Sequence, residues 1–402
     1  MTQSVDILIV GGGIIGSSIA MSLAERGVTA IAVVDCDMSG KWGASERNAG
    51  GVRAAWDMAI NISLSKASIV FYESVAEAVG FQQKGYLWLH DEAAWPKAEQ
   101  RVAVQSRLGV VAEVLTSDAV SARFPFLDRL DGVHRAVSYP KDGLLNPNLL
   151  KTYYRSCAEA AGVTWMDRQA VTSVSVAGES VRSVTLETIP GEPDLEQFLV
   201  HQSLPGEAAR TRMKVGALVN AAGCWAPRLS ELYGRTLPAR PVRRQVSVAH
   251  AQEADLSPFG MFVDTSGLYF HHEAGNILAG YAVSSEKPGY CFEDEGDDFF
   301  MTEIWPRLAA RSSRFERLKR IGGWAGLYAV SPDKSAIIGA APGLKNVFEA
   351  HSFSGHGVMQ SYAAGRGLAE LMLTGSYQNL DLSPLSGDRF EKGTMVCEET
   401  HI

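Results

Sequence analysis

The chain has 402 residues, 46% of them apolar and 20% charged, enough to build the cores of two domains. Its net charge of −8 argues against nucleic acid or an anionic membrane as the main partner. Five cysteines, Cys36, Cys157, Cys224, Cys291 and Cys397, are scattered and never spaced C-x-x-C, so they read as reduced thiols of a cytoplasmic protein, neither a disulfide framework nor a metal site.

The run Val5–Val10 predicts a strand that meets Gly11-x-Gly13-x-x-Gly16, where Ile14 and Ile15 open a helical pattern lasting to Gly27. A second apolar run, Ala30–Val34, ends at Asp35. These parts have the spacing of a dinucleotide-binding β-α-β unit. Gly11 permits the tight turn, Gly13 lets the backbone approach a pyrophosphate, and Gly16 lets the helix pack on the sheet. The helix N-terminus points N–H groups at the phosphates, and the Asp35 carboxylate can bond ribose hydroxyls. The stretch Ile7–Leu23 is apolar, but it follows Asp6, lacks a basic leader and is broken by four glycines, so it is not read as a membrane segment or signal peptide.

Beyond it, Ala44–Gly51 is a polar loop and Asp57–Val79 reads as one long helix. Gly85–His90 is a short strand, with helices expected over Trp95–Leu108 and Asp118–Phe124. After the turn Tyr139–Gly143, Asn146–Ala161 carries an Asn-Pro helix start. Three strands follow at Gly162–Trp165, Val171–Ala177 and Val181–Thr188. Ile189–Arg212, rich in Pro, Gly and charge, reads as a surface insertion, and Ala217–Ala222 as a buried strand. Val246–Val248, Met261–Asp264, Gly267–His272 and Ile277–Tyr281 suggest antiparallel strands. Phe299–Phe315 returns to helix, and the chain closes with strands in Gly322–Gly339 and Val347–Phe353 and the helix Val358–Thr374.

Five segments, in order, resemble the D-amino-acid oxidase / glycine oxidase / sarcosine oxidase superfamily of flavoproteins. They are the N-terminal fingerprint, Gly43–Gly51, Leu218–Ala226, Gly323–Tyr328 with Ser331-Pro332-Asp333, and Phe353–Met359. The resemblance covers nearly the whole chain and implies FAD rather than NAD. The fold expected is an α/β Rossmann-type FAD-binding domain, residues 1–84, 141–236 and 326–402, interleaved with an α+β substrate domain on a mostly antiparallel sheet, residues 85–140 and 237–325. The cofactor contacts it implies are Gly11, Gly13, Ile14, Ile15, Gly16, Asp35, Cys36, Ser45, Arg47, Asn48, Ala49, Gly50, Gly51, Val171, Ala221, Ala222, Gly223, Trp225, Gly326, Tyr328, Gly355, His356, Gly357, Val358 and Met359. The Gly355-His356-Gly357 turn before a helix would favour negative charge on the reduced flavin; His356 is either a donor to the flavin or a turn residue.

The flavin-linking cysteine of the covalent relatives is matched by Gly326, so FAD is expected to be non-covalent. An oxygen-activating lysine is matched by Leu278, an active-site histidine by Ala282, and two carboxylate-binding cations by Trp56 and Met359. A dehydrogenase passing electrons to an acceptor other than oxygen thus stands beside an oxidase. The catalytic candidates are Tyr269, expected over the flavin; Arg53, binding a substrate anion or the flavin, or else in a surface ion pair; and His271, on the face of Tyr269 by strand alternation. Arg243 and Arg244 lie at the entry to the antiparallel strands, where a solvated role is favoured over one of them facing the cavity. The basic run Arg311–Arg320 reads as a solvated helix face or an acceptor-docking patch, and His351 and His356 do not make a metal site.

The expected reaction is oxidation of a C–N bond of an amino acid or secondary amine by hydride transfer to flavin N5, giving an imine that hydrolyses. The partners are a small amine or amino acid and either oxygen or another electron acceptor. Two alternatives remain: a 2-hydroxy-acid dehydrogenase with His271 or His272 as base, and a non-catalytic FAD-containing assembly or binding factor.

Overall fold

The computed structural model describes residues 3–204, 206, 208–251 and 255–400. Two eight-stranded sheets organise it. In the first, the strand Gln3–Val10 lies between Ile31–Val34 and Arg210–Asn220 and is parallel to both. Val347–His351 and Thr164–Met166 extend the parallel set on either side. The antiparallel strands Ile337–Ala340, Ser180–Thr188 and Gln169–Ala177 complete it. The central strands are buried on both faces, as parallel strands under helices must be.

The second sheet runs in the order Lys319–Val330, Arg240–His250, Asn276–Tyr281, Tyr269–Glu273, Met261–Val263, Tyr86–His90, Arg135–Tyr139 and Glu113–Leu115. Every pairing in it is antiparallel except that between Met261–Val263 and Tyr86–His90. One face carries a cluster of Phe124, Phe126, Phe262, Phe270 and Phe315. The opposite face, with Tyr86, Tyr269 and Leu278, joins the core around the helices of the first sheet. That shared core brings the two sheets to one site.

The helices Ile14–Ala24 and Gly357–Thr374 cross closely. Ser18 Oγ donates to the Ser361 carbonyl at 2.8 Å, and a Cβ on Gly365 would lie 2.7 Å from the Ser18 carbonyl carbon. Both helices begin at the same edge of the parallel sheet, so their N-termini point to one place.

Three expected elements differ. Asp57–Val79 is two helices, Ala59–Ser74 and Ala76–Val79, broken at Val75 with φ −123° and ψ 24°. Phe299–Phe315 is a succession of short turns: a five-residue π-helix over Phe300–Ile304, then Trp305–Ala309 restarted around Pro306, then a 3₁₀ turn at Ser313–Phe315. The basic run therefore offers no helix face. Arg311 is buried in an ion pair with Asp264, and Arg320 pairs with Asp294 from the start of a strand. The supposed surface insertion Ile189–Arg212 contains the helix Glu192–His201, whose Leu195 and Leu199 pack against Trp42, Ala170 and Ile189; Pro205 and Glu207 lie outside the described residues. Among the described residues no helix is long and apolar enough to cross a membrane.

Candidate active site

The first strand ends at Val10, and Gly11 turns the chain at φ +107°, where a Cβ would collide with the Ala221 carbonyl. The following helix has no side-chain cap of its own; Ser45 supplies one from the polar loop, accepting the Ile14 N–H at 2.9 Å. Gly11, Gly13, Ile14 and Ile15 line a cavity of about 250 Å³ that follows the ends of the parallel strands. Asp35 caps the second strand at its edge and accepts the N–H groups of Gly12 at 2.6 Å and Asp37 at 2.9 Å. Burial pushes its carboxyl up to about 6 against the lowering pull of those two N–H groups.

The same cavity is lined by Cys36, Ser45, Arg47, Asn48, Ala49, Val171, Ala221, Ala222, Gly223 and Trp225, and at its other end by Gly326, Tyr328, Gly355, Gly357 and Val358. Gly326 faces Arg47, whose guanidinium donates to the Ala325 carbonyl. Asn48 holds its loop in shape by accepting the Gly50 N–H at 2.6 Å. The cavity is long, begins at a helix N-terminus with a carboxylate beside it, and ends at a second helix N-terminus. Those are the needs of a dinucleotide with a flavin at one end, so the residues present fit FAD.

A second, smaller chamber of about 40 Å³ adjoins this end. Asn48, Ala49, Tyr269, Tyr328, Ser354 and Gly355 line both. Gly51, Arg53, Tyr86, Met261, His356 and Met359 line the chamber alone. The Tyr269 ring lies across Gly280, and Tyr328 lies against Gly355, where any larger residue would collide with the ring. Burial raises the hydroxyl pKa of Tyr269, Tyr328 and Tyr86, so all three are neutral donors.

Arg53 is 2% exposed, which removes the surface ion pair as its role. Its Nη1 and Nη2 donate to the carbonyls of Ala55 and Thr400, each at 2.7 Å. Its guanidinium lies 3.5 Å from the Trp56 ring centroid and 5.0 Å from that of Trp88. No ion pair joins it to a carboxylate among the described residues. Trp56 also lies against His356, ring centroids 4.0 Å apart and the planes tilted by 44°. The chamber thus has a cation where the aligned positions Trp56 and Met359 have none.

The placement of six further residues differs from expectation. His271 shares the inner face with Tyr269, as alternation requires, yet it lines neither space. It is 1% exposed, its Nδ1 is 2.8 Å from the His272 carbonyl oxygen, and its ring lies against the backbone of Ala49, which forms the wall. Burial lowers its pKa, which favours the neutral ring. Gly16 also lines neither space; a Cβ on it would strike the Gly11 carbonyl, so its role is helix-to-strand packing. Gly50 is likewise set back, at φ +74° against the Leu145 carbonyl. Gly51, His356 and Met359 face the small chamber and not the long cavity.

Sequence reasoning missed Tyr86, Met261 and Ser354 in the chamber, and Phe198, Leu199 and Gln202, which cover the long cavity from the helix Glu192–His201. The spacing of Leu195, Phe198 and Leu199 was the available signal. Sequence reasoning also favoured a solvated role for Arg243 and Arg244 alike. Arg243 pairs with Glu286 and Glu295, whereas Arg244 lines the cavity. Among the described residues no group of three or more His, Cys, Asp or Glu could hold a metal.

Comparison with known proteins agrees with this geometry. The family model for FAD-dependent oxidoreductases (DAO) matches residues 6–371. The FAD-dependent oxidoreductase domain-containing protein 1 of Xenopus laevis is 30% identical, over 96% of this chain and 83% of its own length. The 4-methylaminobutanoate oxidase of Paenarthrobacter nicotinovorans is 26% identical, over 95% of this chain and 45% of its own. The L-proline dehydrogenase of P. horikoshii superposes with a TM-score of 0.84 at 24% identity, covering 98% of this chain and 99% of that one. The chain therefore belongs to the DAO family of FAD-dependent oxidoreductases, with amine and amino-acid oxidases and dehydrogenases among its relatives, and it holds FAD non-covalently.

Proposed function

We propose that the chain oxidises a C–N bond of an amino acid or secondary amine bound in the chamber between Arg53, Tyr86, Tyr269 and Tyr328. The observation that carries this is the buried Arg53 guanidinium, which has hydrogen bonds to carbonyls but no ion pair. Asp142 and Glu398 act on it only through space, so a substrate carboxylate would be its one direct ionic partner. The same positive charge lowers the pKa of a substrate amine beside it, so the amine is held neutral with its lone pair free. When bound, FAD supplies the two-electron acceptor that takes a hydride from the carbon bearing the amine. Tyr269 and Tyr328, on the wall shared by both spaces, orient the substrate against the flavin and exclude water. The imine product hydrolyses after release.

The small chamber is lined by no Asp, Glu or Lys, and its one imidazole, His356, lies tilted against Trp56. Oxidation of a hydroxyl, which needs a base for the hydroxyl proton, has less support than oxidation of a neutral amine. On this reading, residues 1–84, 141–236 and 326–402 form the FAD domain and 85–140 and 237–325 the substrate domain, except that the strand Lys319–Val330, and Tyr328 with it, runs across that boundary in the substrate-domain sheet. Their sheets provide the fingerprint end and the tyrosine wall.

Anaerobic addition of amino acids, N-alkyl amino acids and 2-hydroxy acids to the yellow holoprotein tests this. Bleaching of the flavin band by amines supports the reading. Bleaching by hydroxy acids alone overturns it, as does a flavin that no candidate reduces. Reoxidation in air then separates an oxidase from a dehydrogenase.

A further inference from the structure

The end of the cavity shared by cofactor and substrate holds two guanidiniums. Arg53 closes the small chamber. Arg244 projects from the strand Arg240–His250 into the adjoining space, with its Cζ 5.4 Å from the Tyr328 ring centroid. Its Nη1 donates to the carbonyl of Arg243 at 2.9 Å, and its Nε is buried without a partner. Neither arginine forms an ion pair among the described residues. The Tyr328 hydroxyl feels both charges, and Tyr269 feels that of Arg244. The acids lining the long cavity are engaged at its other end. Asp35 is held by the N–H groups of Gly12 and Asp37, Glu46 by Lys151, and Asp37 by Ser39 and Trp42. No carboxylate lines the small chamber. Arg53 is buried and pairs with no carboxylate, Asp142 and Glu398 acting on it only through space, while the half-buried Arg244 keeps its Nε unpartnered, so each guanidinium can take a negative charge from what binds there.

We propose that the substrate is a dianion, an amino acid or N-alkyl amino acid carrying a second acidic group, with one carboxylate on Arg53 and the other on Arg244. This rests on the amine-oxidation reading and narrows it. Arg53 takes the carboxylate nearer the reacting carbon, inside the chamber. Arg244 sits beyond the tyrosines, where a longer substrate arm would reach. The bidentate fork of each guanidinium suits a carboxylate, and the aromatic walls between them suit a short aliphatic spacer.

The test uses unreactive anions on the FAD-loaded protein, read by perturbation of the flavin absorbance. Succinate and glutarate are titrated against acetate and propionate. The dicarboxylates are expected to bind at least tenfold more tightly. Arg244→Met removes that advantage, and Arg53→Met weakens both classes. Equal binding of mono- and dicarboxylates by the unaltered holoprotein overturns the inference, and that comparison needs no variant to fold. An Arg244→Met protein that keeps the dicarboxylate preference but has a shifted flavin midpoint potential also overturns it, assigning Arg244 to the flavin. Because anion binding needs no turnover, failure of every amine to bleach the flavin would sink the amine-oxidation reading without deciding this one.

Discussion

Arg53 Nη2 donates to the carbonyl of Thr400 at 2.7 Å, across 347 positions of sequence. The end of the described chain is strapped to the candidate substrate site. Glu398 accepts the N–H groups of Asp57 and Met58 at the start of the helix Ala59–Ser74, and Asp57 in turn accepts the Thr400 N–H at 2.8 Å. Arg53→Met should keep FAD but lose a charged contact to substrate. A loss of about 2–4 kcal/mol, roughly 30- to 1,000-fold in kcat/KM, is expected. Steady-state kinetics with flavin content measured alongside checks it; an unchanged kcat/KM would remove Arg53 from the site.

Asp35 gives a pH dependence for cofactor binding. Its carboxyl sits at about 6 before FAD binds, raised by burial. A ribose hydroxyl donating to it favours the ionised form, so FAD affinity should fall as pH drops through about 6. The slope should approach tenfold per pH unit well below that. Asp35→Asn should flatten the profile and weaken binding at pH 8. Fluorescence titration of the apoprotein from pH 5 to 8 measures both effects.

Asp142 should leave its mark on stability instead. Its Oδ1 accepts the Ala54 N–H at 2.9 Å, Oδ2 has no partner, and burial raises the carboxyl to about 7, only partly offset by that bond and by Arg53. Because the folded pKa lies above the unfolded value, the folded state binds the extra proton between about pH 4 and 7. The stability contribution is complete below about 4 and is lost as pH rises through about 7. A displacement of that size corresponds to about 4 kcal/mol as an upper bound. Denaturant unfolding across that window should show stability decreasing with pH, and Asp142→Asn should lessen the slope.

Gly365→Ala tests the helix crossing apart from the chemistry. The new methyl would meet the Ser18 backbone, which a side-chain rotation cannot relieve. A loss of about 1–3 kcal/mol is expected from overpacking, read as a lower Tm in the holoprotein. A variant as stable as the parent would mean that the two helices can separate without cost.

The fingerprint Gly11–Gly16 and Asp35 was legible because its chemistry is local: a turn, a helix start and a strand end within one β-α-β unit. The faces of Tyr269 and His271 were legible from alternation alone. What alternation could not supply was depth, since the wall in front of His271 is Ala49, far away in sequence. Arg53 was ambiguous for the same reason. Its burial depends on Trp56 beside it and Thr400 at the far end of the chain, and no window of sequence contains both. The helix Glu192–His201 was misjudged because its charged and Pro-bearing start outweighed a short apolar stripe, although that stripe covers the cavity. Pro306 and the π-turn before it broke a helix that composition alone would have continued.

The long cavity draws its walls from Val10 at one end of the sequence to Val358 near the other, with contributions from the loop at 40–49, Val171, Phe198 and Ala221–Trp225 between them. No fragment of the chain contains it, and no partly folded form can present all its sides at once. Retained yellow colour is thus a gauge of complete folding. A variant that purifies colourless has either failed to close this architecture or lost a cofactor contact such as that of Asp35, while one that stays yellow but inert has lost only chemistry.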